Sequence, residues 1–197
     1  MHVPNYNYDK KRFEAFIDAV IAIILTILVL ELRIPETEHF KDLSTLQQVA
    51  SLIPSFVSYI GSFLLIFGIW IDYHILFLNL QKLSKSYILL NMLFILFLSL
   101  VPFTTGFAGH HYLDSFAVAL LFTNYFIMNL LFGNLYWYAN KKKLVPAEFI
   151  ADNRATGIYA VIGLIGLLAA IPLAYANTYL SFGLGIVIFS GHLFKRT

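Results

Sequence analysis

The chain has 197 residues, of which 59% are hydrophobic and only 12% are charged, and its mean hydropathy is +0.77. Soluble domains carry about 25% charged residues, so this composition indicates an integral membrane protein. The net charge of +2 is too small and too scattered to indicate a nucleic-acid partner, and the absence of cysteine excludes disulfides and thiolate metal sites.

Six apolar runs are long enough to cross about 30 Å of hydrocarbon as helices. They cover residues 14–33, 50–78, 86–106, 114–140, 155–175 and 177–194. No small-residue cleavage site follows the first run, so we expect it to be retained as a span. We predict an all-α fold in which residues 1–197 form a single six-helix transmembrane domain, with Pro54 and Pro102 as points where spans could bend.

Basic residues mark alternate connections between these runs. They lie before the first run, between the second and third, between the fourth and fifth, and after the sixth. Lys and Arg collect on the cytoplasmic side of membrane proteins, so we predict that both termini are cytoplasmic. The residues concerned are Lys10, Lys11, Arg12, Lys82, Lys85, Lys141, Lys142, Lys143, Arg154, Lys195 and Arg196.

The first run combines a polar entrance with an apolar helix. Between Asp18 and Glu31 its only polar side chain is that of Thr26, which we expect to bond a carbonyl in the preceding turn. At about 100° per residue, one apolar stripe runs along this helix, and Asp18 lies nearly opposite to it. The stripe is either ordinary packing or lipid-facing surface, or a set of aliphatic rings that narrow a pore between subunits. It contains Ala19, Ile23, Thr26, Ile27 and Leu30, with Phe16 and Arg12 continuing it.

Several polar residues interrupt the apolar runs. Asp18 either caps a helix or accepts hydrogen bonds from later spans, for which His74 is a candidate donor. A proton-coupled carrier that uses Asp18, Asp72 and His74 as a relay is the alternative function. No catalytic constellation is present, so we expect no enzyme, and we expect asparagines in the third and fourth runs to join helices. These are Asn91, Asn124 and Asn129, while His110 and His111 beside Asp114 form only part of a metal site.

The first run, with Arg12, Phe16, Asp18, Ala22-Ile23 and Thr26-Ile27, resembles the signature of the transmembrane protein 175 family of endolysosomal and prokaryotic potassium channels. The segment from Trp70 to Phe77, and Asn91 with Pro102-Phe103, resemble that family's second and third helices. The resemblance covers about the first 105 residues. Two positions depart from the family pattern. Ile17 stands where the family has a serine, and Tyr73 stands where it has a histidine.

The resemblance implies a homotetramer in a prokaryotic cell (inner) membrane, because single-repeat members are prokaryotic. It implies a potassium-permeable cation channel without a cofactor, whose partners are potassium, other monovalent cations and the bilayer. The chain has no carbonyl filter motif, so we expect only modest selectivity for potassium over sodium. The implied constriction is Ile23 with Ile27 and Leu30, with Thr26 as the polar pore residue; the implied supporting network is Arg12, Asp18, Trp70, His74 and Asn91.

Overall fold

The computed structural model describes residues 8–34, 40, 42–152 and 154–194. Within these ranges all regular secondary structure is helical. The helices are α1 (Lys10–Leu28, continued by a 3-10 turn over Val29–Glu31), α2 (Thr45–Ser51), α3 (Ile53–Asn79), α4 (Lys85–Ser99), α5 (Val101–His110), α6 (Ser115–Lys141), α7 (Ala147–Asp152), α8 (Arg154–Ala176) and α9 (Thr178–Phe194).

Five stretches of the described chain are long and apolar enough to cross a membrane, which confirms the all-α membrane fold. They are Lys10–Glu31, Ile53–Asn79, Lys85–His110, Ser115–Lys141 and Gly157–Ala176. The predicted sixth span corresponds to a shorter apolar helix, Thr178–Phe189 within α9. The count of six spans and the cytoplasmic position of both termini therefore stay predictions.

Side-chain caps determine where several helices begin. Asp9 accepts the backbone N–H of Arg12 at 3.2 Å, so α1 begins at Lys10, four residues earlier than predicted. Asp114 accepts the N–H of Ala117 at 2.9 Å at the start of α6. Since Asp18 lies well inside α1, the capping interpretation of Asp18 is wrong.

The third span bends at Leu100, between α4 and α5, and extends to His110 rather than ending at 106. Pro102 has no N–H to donate to the carbonyl four residues earlier, so the helical ladder is interrupted there. Leu100 keeps right-handed helical angles, and the Thr104 hydroxyl lies 3.2 Å from the carbonyls of both Leu100 and Val101. The span is therefore kinked and not unwound. Pro54 lies in the first turn of α3, where it is tolerated.

The core of the bundle is built around α6, which packs against α4, α5 and α8, while α1 packs against α3 and α5. Aromatic rings fill much of this core, with Tyr73 stacked on Phe77 at 4.5 Å and Phe94 on Phe132 at 5.4 Å. A small cleft of about 30 Å³ lies between α3, α6 and α9. The interior of one subunit is thus packed with side chains.

Candidate functional site

Helix α1 has one buried face and one exposed face. Residues that face the bundle are fully or nearly fully buried, and they include Ile17, where the family pattern has serine. The opposite stripe is open, with exposed fractions of 56% for Ile23, 42% for Ile27 and 66% for Leu30. Phe16, Ala19 and Thr26 are exposed on the same side. The buried face consists of Ile17, Ile21, Ile24 and Leu28.

Thr26 occupies the middle of the exposed stripe. Its hydroxyl donates a hydrogen bond to the carbonyl of Ile23, one turn earlier, at 2.8 Å. This is the bond expected of a threonine in a membrane helix, and it satisfies the only polar side chain between Asp18 and Glu31 without a partner helix.

Asp18 connects α1 to α3. Its Oδ1 accepts a hydrogen bond from the indole Nε1–H of Trp70 at 3.0 Å. The donor is therefore Trp70 and not His74, which lies one turn further along α3. A carboxylate that accepts an indole N–H inside a membrane protein is held in one place, because a lost bond leaves a charge without compensation.

His74 lies beside a residue that the sequence interpretation did not single out. Its Nδ1 is 3.7 Å from Oε1 of Glu14, which is close enough for an ion pair but too long for a hydrogen bond. The imidazole also stacks on Trp70 with ring centroids 5.8 Å apart. Glu14 could have been found from sequence, because it lies on α1 four residues before Asp18 and hence on the same side of the helix.

Asn91 is fully buried and connects α3 to α4. Its Oδ1 accepts a hydrogen bond from the hydroxyl of Tyr73 at 2.6 Å, and its Nδ2 donates to the carbonyl of Tyr87 at 2.7 Å. Tyr73, which departs from the family pattern, thus supplies a donor of its own. Asn91 reaches the first helix only indirectly, through α3.

The remaining candidates are dispersed. The side chain of Arg12 is exposed and forms no salt bridge with a carboxylate of the described residues, so its place in a supporting network stays a prediction. Asp72, the third member of the alternative proton relay, is buried in α3, and its backbone carbonyl accepts the Tyr136 hydroxyl at 3.1 Å. Asp18 and His74 engage Trp70 and Glu14 respectively.

The asparagines of α6 behave differently from each other. Asn124 donates to the hydroxyl of Thr104 on α5 at 3.4 Å, as an interhelical residue should. Asn129 instead donates to the carbonyl of Tyr125 in its own helix at 2.9 Å, so the interhelical interpretation is wrong for this residue. The ring of His111 bonds the carbonyl of Phe107 at 3.0 Å. Within the described ranges no group of three metal-ligating side chains occurs.

Sequence reasoning missed a hydroxyl cluster shared by three helices. Ser62 on α3 donates to the carbonyl of Ser58 at 2.7 Å, and its oxygen lies within hydrogen-bond distance of Thr105 on α5 and Tyr125 on α6. Serine, threonine and tyrosine in apolar runs are a weak signal individually, so only their convergence in the folded bundle identifies the cluster.

Glu31, at the end of the 3-10 turn, packs on the third span. A Cβ added to Gly106 would lie 2.2 Å from Oε2 of Glu31, so the carboxylate occupies space that only a glycine leaves free. An open groove of about 360 Å³ lies beside it, between the exposed stripe and the bend of the third span. The groove is lined by Val20, Ile23, Ile24, Ile27, Glu31, Ser99, Pro102 and Phe103.

The helical spans, the exposed apolar stripe of α1 and the polar bonds that hold α1 to α3 define a multi-pass helical membrane protein. The sequence model of the family "Endosomal/lysosomal potassium channel TMEM175" matches residues 12–102, which run from the start of α1 to just beyond the bend. The part of the chain that contains α1, α3 and α4 is therefore similar to this TMEM175 family.

Individual relatives and a solved structure show the same similarity. A potassium channel from Chryseobacterium is 38% identical over 100 residues, which are 51% of this chain and 49% of that relative, so the match spans about half of its length. A potassium channel from Streptomyces collinus is 26% identical over 179 residues, 88% of this chain and 86% of the relative. A crystal structure of a lysosomal potassium-selective channel TMEM175 homologue from Chamaesiphon minutus superposes with a TM-score of 0.84 at 23% identity, covering 94% of this chain and 97% of that one. At this identity the superposition shows a shared fold.

Proposed function

We propose that the chain is one subunit of a homotetrameric cation channel in a prokaryotic inner membrane that conducts potassium with modest preference over sodium. In this proposal α1 lines a central pore, Ile23, Ile27 and Leu30 form rings of aliphatic side chains at its constriction, and Thr26 supplies oxygens near it. The proposal builds on the similarity to the TMEM175 family, since the two bacterial relatives are potassium channels by name.

The observation that carries the proposal is the division of α1 into two faces. The residues on the side that contacts the bundle are at most 4% exposed. On the opposite side, Ile23, Ile27 and Leu30 are 42–66% exposed in an isolated subunit. The Trp70–Asp18 bond fixes the rotation of α1 about its axis and hence the direction in which the open stripe points.

The packed interior supports a pore between subunits. Aliphatic and aromatic side chains fill the core of the described bundle, and the small cleft between α3, α6 and α9 is lined mainly by apolar groups. An ion path therefore runs along an outer surface of the subunit, where copies of α1 face one another. Rings of aliphatic side chains along such a path restrict water as well as ions, so they act as a barrier that narrows or dewets.

The experiment is a recording of unitary currents from reconstituted protein with potassium on one side, sodium on the other and equal pH. Reversal toward the potassium equilibrium potential supports the channel. Saturable flux that follows a pH gradient, without unitary currents, would contradict the channel and support the proton-coupled carrier. Asp18, Asp72 and His74 would then be the residues to substitute.

Ile23→Asn tests the constriction within the same experiment. A polar side chain lowers the cost of hydrating the narrow region, so we expect a larger unitary conductance and a permeability ratio of potassium to sodium closer to one. Ile162→Asn on α8 is the matched control, because the residue is exposed to 58% against 56% for Ile23 and lies on a different helix. Equal unitary currents in both variants and the wild type would mean that Ile23 does not form the constriction.

A further inference from the structure

We propose that the end of the bundle formed by the α3–α4 and α6–α7 connections binds the headgroups of anionic phospholipids. The two connections and the helix ends beside them carry five lysines, and all five are exposed. The charge rule for membrane topology requires only that such lysines lie on one side of the membrane. The structure adds that a backbone hydrogen bond joins the two connections that carry them. They are Lys82, Lys85, Lys141, Lys142 and Lys143.

A backbone hydrogen bond joins the two connections. The N–H of Gln81 donates to the carbonyl of Leu144 at 2.8 Å, across more than 60 positions of sequence. The neighbouring side chains of Leu80, Leu144 and Val145 are buried in the core. Each connection is therefore anchored on the bundle, and the lysines project from a backbone that is held in place rather than from free loops.

The lysines bring positive charge together without balancing it internally. None of the five forms a salt bridge with a carboxylate in the described part of the chain. The contact of this kind that is found there joins His74 to Glu14. Like charges that are crowded together raise the local potential, and an anion from outside relieves it. At the membrane surface the abundant anion is the lipid phosphate, which attracts basic groups next to a span.

Trp137 places the lysines at the depth of the headgroups. Trp137 is 56% exposed and lies one helical turn before Lys141. The Nζ of Lys141 is 4.4 Å from the centroid of the Trp137 ring. Tryptophan side chains at the ends of membrane helices sit in the interfacial region. The ammonium groups thus begin at the level of the lipid phosphates and not further out in water.

Lys143 adds a conformational argument. It is a non-glycine residue with a positive φ, 51°, at the end of α6, a position where helices usually have glycine or asparagine. The N–H of Leu144 donates to the carbonyl of Ala139 at 2.8 Å and closes the helix end. The left-handed conformation favours glycine over lysine. A role of the Lys143 charge in binding an anion explains why lysine occupies this position.

The test uses Trp137 as the reporter, because the chain has only two tryptophans and the other, Trp70, is partly buried and bonded to Asp18. The full-length protein is reconstituted in bilayers that contain either brominated phosphatidylglycerol or brominated phosphatidylcholine, and quenching of its fluorescence is compared at equal mole fraction. Trp137→Phe gives the background from Trp70. We expect the relative binding constant to favour phosphatidylglycerol by about five-fold or more at low salt, and to decrease as salt is added.

Two adjacent lysine pairs provide the matched comparison. Lys142→Gln/Lys143→Gln should bring the ratio close to one. Lys10→Gln/Lys11→Gln removes the same charge from the start of α1, which contacts this end of the bundle through the stacking of Phe13 on Phe77 and not through α6, and should lower the ratio less. Equal quenching by the two lipids in the wild type would overturn the proposal, and so would the same loss of preference in both double variants.

Lys143→Gly separates charge from folding. Glycine suits the left-handed conformation, so the thermal midpoint of the variant should equal or exceed that of the wild type, while its preference for phosphatidylglycerol falls several-fold. A stable Lys143→Gly variant with undiminished preference would remove Lys143 from the lipid-binding surface.

Discussion

Gly106→Ala is expected to destabilise the protein through its contact with Glu31. Gly106 lies in α5, where helix propensity alone favours alanine. The added methyl group would nevertheless lie 2.2 Å from Oε2 of Glu31 and 3.0 Å from both its Cβ and its Cδ. The carboxylate can move away by rotation of the Glu31 side chain, but the Glu31 Cβ is tied to the backbone and has to shift by a few tenths of an ångström.

Two opposing terms give the magnitude. Replacing glycine by alanine inside a helix gains about 0.5–1 kcal/mol. Forcing an extra carbon into an occupied site costs about 1–3 kcal/mol. We therefore expect the free energy of unfolding of Gly106→Ala to fall by about 1 kcal/mol, within a range of about 0–2.5 kcal/mol. Gly133→Ala in α6 is the matched control: nothing lies within 4 Å of a Cβ there, so only the gain remains.

The assay is reversible unfolding in mixed micelles as the fraction of denaturing detergent is raised, followed by tryptophan fluorescence. Combining Gly106→Ala with Glu31→Ala removes the displaced carboxylate and should recover most of the loss, which a double-mutant cycle reports as a coupling energy. A Gly106→Ala variant as stable as Gly133→Ala would refute the reasoning, because the close contact would then carry no cost.

Two further predictions concern the polar bonds of α3. Asp18→Ala and Trp70→Phe, combined in a double-mutant cycle, should give a coupling energy of about 1 kcal/mol, typical of hydrogen bonds inside membranes; a coupling near zero would mean that the 3.0 Å contact contributes no stability. Tyr73→Phe removes the donor to the buried Oδ1 of Asn91 and should lower the free energy of unfolding by about 1–2 kcal/mol in the same micelle assay, whereas unchanged stability would contradict the role of this bond.

The spans were largely predictable because hydrophobicity alone decides which segments enter a bilayer. The fourth, predicted over 114–140, is Ser115–Lys141, and the second, predicted over 50–78, is Ile53–Asn79. The first begins earlier than predicted because Asp9 caps it, a signal that the sequence contains and that hydropathy does not weigh. The bend at Leu100 follows from Pro102, although only the structure locates it.

The exposed stripe of α1 was also predictable, since the period of one helix determines which side chains share a face. The partners across helices were not. Trp70 and His74 lie four residues apart on the same face of α3, and a shift of one turn, about 5.4 Å, decides which of them meets Asp18. Sequence periodicity does not encode that register between helices. The contact between Glu31 and Gly106 depends on the same register and was missed for the same reason.

Thr26 has a consequence for the kind of ion that the proposed pore can accommodate. Its hydroxyl proton is committed to the carbonyl of Ile23, so the exposed side of the oxygen offers lone pairs and no donor. In a symmetric assembly the four copies would present a collar of acceptors between rings of hydrocarbon. Such a collar can replace water around a cation, whereas a chloride ion would meet no proton to bind. The same intrahelical bond that is typical of a membrane threonine would thus make the collar favour cations over anions.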